Sequence, residues 1–300
     1  MDMIKPITID DSVLISSTAT ETYAEWSGAS VSYVIGDRRI RLTTNRIYEC
    51  LVNHVSSSSP VPENDTTNWL DIGPTNERAM FDQVIGTVTS ASGSLVVELA
   101  PGQSGALALL ELDGDLLEIS QLDGAGGTEI KSYEIDLDDT PILSFYDYFF
   151  ADYVQKDTVI ITDLYDNYLN SRLIITLTGS STVECGVCQV GKLFNWGDLK
   201  YGASLRIEDF SKKTTDEFGN VTIVPRATRK IMSGQIIVPF NQFNQLLILA
   251  ESLQSEAAIY IGVDEMGYEP ITVFGFASDF RVIVQHYQYL LCNLEIEGLV

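Results

Sequence analysis

Apolar and polar residues alternate in short runs along most of the chain, and Gly, Asp and Asn separate one run from the next. From residue 85 onward the runs are GSLVVELA, ALALLELDG, LLEISQL, KSYEIDL, DTVIITDL, RLIITLTG and TVECGVCQVG. Period-two runs at this spacing predict an antiparallel β-sandwich over residues 85–200. Residues 1–20 alternate weakly, in ITIDDSVLISS, and predict a single strand or arm whose partner the sequence does not identify. Residues 21–84 are rich in Ser, Thr and Asn with several aromatics and contain SSSSPVPENDTTNW, a loop composition that cannot sustain a helix. A small β module with little core of its own is expected there.

The pattern over residues 201–300 is mixed. ASLRIEDFSKKTTDEFGNVTIVPRATRKIMSGQIIVPF predicts a long hairpin, because Phe218-Gly219-Asn220 offers residues that tolerate positive φ between two β-prone arms. In NQFNQLLILAESLQS, the residues Phe243, Leu246, Leu247, Ala250 and Leu253 share one face at helical spacing, with Asn241 or Asn244 as N-cap. Strands AAIYIGV, ITVFGFA, DFRVIVQHY and LLCNLEIEGLV follow. The expected fold class is therefore mainly β: a small N-terminal β module, a β-sandwich middle domain, and an α+β C-terminal domain with one helix on an antiparallel sheet. The stretch FYDYFFADYV interrupts the middle region and is too aromatic for a solvated loop. It is expected to pack over one sheet as core, with a contact surface for a partner as the alternative.

Length and composition support this division. A chain of 300 residues exceeds the roughly 250 at which a single core stops growing. Hydrophobic residues at 45% and charged residues at 20% place it among folded rather than disordered chains. Its 18 basic and 42 acidic residues give a net charge of −24, distributed as −6 over residues 1–90, −13 over 91–200 and −5 over 201–300. Such a field repels phosphate backbones and anionic lipid, so direct nucleic-acid binding and membrane insertion are not expected. The opening MDMIKPITIDDSVLISS has no basic start followed by an apolar core, and no secretory signal is read there.

Candidate chemistry is sparse. His54 and His286 are the only histidines, and no GxSxG, P-loop or GxGxxG occurs, so no enzyme is expected and no cofactor is implied. Cys185 and Cys188 stand in a CxxC spacing without a second ligand pair, which reads as two buried thiols in a strand rather than a metal site. Asp136, Asp138, Asp139, Asp163 and Asp166 could serve a glycosidase or bind calcium, but acidic turns explain them more simply.

Basic residues cluster in two places. Arg38, Arg39, Arg41 and Arg46 are four of the six basic side chains in the first 90 residues. Lys212, Lys213, Arg226, Arg229 and Lys230 lie on the arms of the expected hairpin. Both groups are candidate docking interfaces for an acidic neighbour, the second meeting the acidic middle domain of another subunit. Lysines that protect an edge hairpin from aggregation are the alternative for the second group.

The segment Tyr23 to Trp69 resembles the small chitin- and cellulose-binding modules appended to chitinases, through Trp26, Tyr33, Gly36, Asp37, Tyr48, Pro60 or Pro62, and Trp69. That resemblance implies a sugar-stacking pair just after the tyrosine, yet Leu51, Val52, Asn53 and His54 stand there. Trp26, Tyr33 and Trp69 are the remaining candidate carbohydrate contacts. The run RIYECLVNHVSSSSPVPENDTTNWLDIGPTNERAMFD, with β domains and a terminal CNLEIEGLV, looks like bacteriophage virion proteins of the tail, baseplate or tail fibre that carry such an insert. The middle region ending in VECGVCQVGKLFNWGDLKYG is similar in layout to galactose-binding-like jelly rolls. These resemblances imply a structural protein of the virion tail, made in the host cytoplasm, that assembles with itself and with other virion tail proteins; recognition of host surface glycan is the alternative.

Overall fold

The computed structural model describes residues 1–215, 217–253, 256–263, 271–284 and 288–299; His286 lies outside them. The protein is mainly β, with 51% strand and 10% helix, built as one large antiparallel sheet plus small sheets. From one edge, the main sheet runs through Glu129–Asp136, Leu116–Leu122, Arg172–Asn195, Asp2–Pro6, Ala258–Ile261, Thr272–Ile283, Tyr289–Gly298, Thr228–Pro239 and Asp198–Leu199.

Its spine is Arg172–Asn195, a single strand of 24 residues where the sequence pattern suggested two. The pairing register with Thr89–Leu99 shifts between Thr178 and Thr182, and across its other edge the chain turns at 113–116 between two partner strands. Gly114 and Gly179 meet at this corner, where a Cβ on Gly179 would come within 2.8 Å of Val183. A bulge opposite a break lets a long strand bend without losing its ladder. Below the corner it pairs with Leu116–Leu122, and beyond it with Ala106–Asp113, which also carries Thr158–Ile161. Alternate residues of these strands, including Leu107, Leu109, Leu117, Ile119, Leu173 and Ile175, fill one core.

The first strand resolves the partner left open by the sequence. Asp2–Pro6 pairs with the end of the long strand on one side and with Ala258–Ile261 on the other. Met3 and Ile4 are fully buried and point to different cores, as the period of two requires. Gly191 makes this possible, because a Cβ there would lie 1.8 Å from the Lys5 carbonyl oxygen.

Two α-helices are present among the described residues. Helix α1 spans Phe145–Phe150 and α2 spans Phe243–Ser252. Helix α2 buries Leu246 on the sheet, followed by Leu253, with Phe243, Leu249 and Ala250 packed beside them. Neither Asn241 nor Asn244 caps it: a 3-10 turn over Phe240–Gln242 leads directly into the helix and places Gln242 at the cap. No helix among the described residues is long and apolar enough to cross a membrane.

Candidate docking surfaces

The N-terminal module is held by five buried residues: Trp26, Tyr33, Tyr48, Cys50 and Trp69. Three strands, Arg38–Arg41, Arg46–Cys50 and Trp69–Pro74, form one face, and Ser32–Tyr33 pairs with His54–Val55 on the other. Gly36 at φ +89 and the Asp37 carboxylate, which accepts from the Val34 amide at 3.0 Å, make the turn between them. The three candidate sugar contacts are core residues, not a platform. Trp69 is 3% exposed and meets Tyr33 edge-on at 5.0 Å, while the His54 ring lies 5.4 Å from Trp69. A module this small needs its largest rings inside, which leaves no flat face of Trp26, Tyr33 or Trp69 for a sugar.

The four arginines of this module are turned onto the module itself. Arg38 bonds Glu49 at 2.8 Å and the Tyr23 hydroxyl at 3.2 Å; these partners raise its pKa. Arg41 forks onto Glu63 and covers the Trp26 ring, and Arg46 places Nε within 3.0 Å of both Asp71 oxygens. Arg39 lies over the Tyr33 ring at 5.4 Å. Their charge braces a small core, and the sequence cluster does not amount to a bare basic patch.

The segment after Trp69–Pro74 latches the module to the body. Asn76 donates through Nδ2 to the Thr20 and Ser90 carbonyls and accepts from the Ser90 amide, while Glu21 accepts from the Asn76 and Glu77 amides. Arg78 reaches back to the Ile9 carbonyl and to Asp11, and Met80 drops into the main core. No local pattern signals this latch, because Asn76 bonds backbone 14 and 56 positions away.

The hairpin of residues 204–230 leaves the body as an arm. Ser204–Asp209 pairs with Thr228–Pro239, and Lys212–Thr215 pairs with Val221–Val224 beyond it, with Gly219 at φ +84 near the tip. Every residue of the outer ribbon is exposed. Directly paired residues share a face, so Lys213, Thr215, Val221 and Ile223 stand together on one side and Lys212, Thr214, Thr222 and Val224 on the other. Arg229 is occupied at the root, where Glu208 at 2.6 Å and Glu297 at 2.5 Å hold it and raise its pKa. Lys213 reaches Asp209 at 3.3 Å. Lys230 stands opposite Ile207 in the ladder, and the Arg226 amide donates to the Ser211 hydroxyl.

The aromatic stretch around α1 is not core, contrary to the leading expectation. Leu143 and Phe145 are 90% and 91% exposed, and Tyr146, Tyr148, Phe149, Phe150 and Tyr153 also face outward. Its root is nonetheless fixed: Asp139 donates its amide to the Val154 carbonyl at 2.9 Å, and the Val154 amide donates to Thr140 at 3.0 Å. Ser144 caps α1 by accepting the Asp147 amide, and the Asp147 carboxylate accepts the Leu143 amide. With Ile142 and Val154, the chain thus holds nine large apolar side chains in water on a clamped loop. Soluble monomers rarely expose a contiguous apolar patch of this kind without a partner.

No protein-family model matches the chain, and no curated protein matches it either. The remaining candidate chemistry is structural. Cys185 and Cys188 are buried reduced thiols in the long strand; burial, assisted by Glu111, pushes Cys185 up to about 12, and burial raises Cys188 as well. Asp163 takes Lys131 at 2.5 Å and the Tyr133 hydroxyl, tying an edge strand to the following loop. Among the described residues, no three His, Cys, Asp or Glu side chains converge as a metal site.

Proposed function

We propose that this chain is a structural component of a phage tail or baseplate, assembling into a symmetric oligomer and docking other virion proteins or fibres. The observation that carries the reading is the pair of exposed apolar surfaces, the arm and the α1 loop, which stand outside the buried cores. A two-stranded ribbon is marginal in water by itself, and an arm of this kind is stabilised when a neighbour covers it. The resemblance of the run RIYECLVNHVSSSSPVPENDTTNWLDIGPTNERAMFD, with the β domains and terminal CNLEIEGLV, to virion proteins that carry a sugar-module-like insert supports the same reading. So does the absence of catalytic sequence signatures.

In this reading residues 85–200 form a sandwich of galactose-binding-like layout and residues 201–300 an α+β unit. Support comes from the core that Leu107, Leu109, Leu117, Ile119, Leu173 and Ile175 share, and from the seating of α2 on the sheet through Leu246. The carbohydrate reading has less support, since its three candidate aromatics are packed inside the module. Light scattering on the purified full chain, together with mass spectrometry of purified particles, tests the proposal. A stable oligomer and presence in particles are expected; a monomer absent from particles would overturn it.

A further inference from the structure

We infer that the arm of one copy docks on the α1 loop of a second copy of the same chain. The inference rests on the assembly reading and names the two surfaces that meet. Each surface lacks what the other supplies. Residues 204–230 carry six basic and four acidic side chains in a chain of net charge −24, whereas residues 136–154 carry five acidic side chains and no basic one. Opposite local charge steers two surfaces into one register and disfavours like-with-like pairing of either.

The apolar content matches as well. Val221 and Ile223 stand beside Lys213 on one face of the ribbon, and Ile207 is 67% exposed beside Lys230 nearer the root. On the loop, Tyr146, Tyr148, Phe149 and Phe150 surround Asp147, with Asp152 one residue beyond the helix cap. Aliphatic side chains against aromatic faces, with lysines reaching carboxylates at the rim, give the apolar centre and polar border of a protein interface. Lysine can also lie over a tyrosine or phenylalanine ring once water is excluded.

Reach and placement allow it. From Asp209 to the tip the ribbon extends about 30 Å at ~3.3 Å per residue, enough to cross a subunit boundary. A cleft of about 460 Å³ at the arm root is lined by Ala227, Thr228 and Lys230 from the arm and by Asp157 and Thr158 from the chain that follows the loop. The root of the arm and the strand that follows the loop thus line one cleft. The contact joins unlike surfaces, so it closes as a reciprocal pair or a ring, or runs on as an open filament.

The test uses the full chain with single cysteines, since the native thiols are all buried. Thr215→Cys on the arm and Ala151→Cys beside α1 both fall at exposed positions. The two variants, carrying different tags, are co-expressed and oxidised with copper phenanthroline. The mixed 215–151 disulfide is expected to predominate, to be lost in a Lys212→Glu, Lys213→Glu background, and to return when Asp147→Lys and Asp152→Lys are added to the partner. Like-with-like disulfides, or none, from a chain that light scattering finds oligomeric would overturn this contact and leave the assembly reading standing. A monomeric wild type would overturn this contact, and a monomer also absent from purified particles would overturn both.

Discussion

Arg41 grips Glu63 with two hydrogen bonds of 3.1 Å, from Nε and Nη2, and the same guanidinium lies 5.0 Å from the centre of the Trp26 ring. One side chain therefore closes the module's outer surface twice, once by charge and once by packing. The bonds from Arg41 hold the Glu63 carboxyl below its ordinary value of 4.5.

A pH dependence follows from that pair. A carboxyl depressed in the folded state stabilises fully above its ordinary pKa, and the contribution disappears as pH falls through the folded value. The module should therefore loosen on acidification below about 4.5, with a change in the fluorescence of Trp26 and Trp69. Glu63→Gln should lower stability at neutral pH and flatten this acid limb; an acid limb unchanged in Glu63→Gln would contradict the assignment.

Trp69→Ala should unfold the module rather than abolish sugar binding in a folded one. Trp69 is one of five buried residues there, and truncating a buried Trp costs about 3–5 kcal/mol. Limited proteolysis is expected to cut within residues 21–84 in the variant while the body stays intact. A variant as protease-resistant as the wild type would show that the ring is dispensable to the core.

Removing the first strand's anchor should affect both halves of the sheet together. Ile4→Ala is expected to cost about 2–5 kcal/mol, and Gly191→Ala should be at least as damaging, because the new methyl meets the Lys5 carbonyl. Hydrogen exchange would read it: amides of Ala258–Ile261 and of the end of Arg172–Asn195 should lose protection in parallel. Loss confined to one side would show that the two halves are stable separately.

The thiols provide a third readout of packing. All four cysteines are buried, and the Cys185 and Cys188 thiols are held protonated by their surroundings. Native protein should react slowly with thiol reagents at pH 8 and release all four thiols only on unfolding. Rapid modification of Cys185 in native protein would mean that the long strand opens locally.

Local pattern made much of the β content legible, because alternation marks a strand wherever one face is buried, as along Arg172–Thr178 and Tyr289–Gly298. Continuity was less visible. Gly179-Ser180-Ser181 has the composition of a turn, yet the chain passes through it as a bulge. The partners of Asp2–Pro6 could not be read from local spacing, since they depend on residues near 193 and 260. At the candidate surfaces, residue type indicated chemistry without indicating direction. Arg38, Arg41 and Arg46 form a basic cluster in the sequence, but each meets a carboxylate brought in from another strand or turn. Trp26, Tyr33 and Trp69 were candidate sugar contacts only through a resemblance, whereas a core of five side chains needs them inside. The α1 loop misled in the opposite direction: nine large apolar side chains suggest burial, yet they face outward on a loop whose root is bonded between residues 139–140 and 154.

Placing Asp2–Pro6 in the middle of the sheet also sets an order of events on the ribosome. The strand emerges well before the backbone it must pair with, which follows almost 200 positions later; Asn195 bonds Asp2 across a separation of 193 residues. Until then Met3 and Ile4 are apolar side chains with nowhere to go, and pairings this distant close slowly. Completion of the sheet thus waits until Ala258–Ile261 has been made. In pulse-chase proteolysis, protection of the first strand should appear only once Ala258–Ile261 has left the exit tunnel; protection of shorter nascent chains would contradict this order.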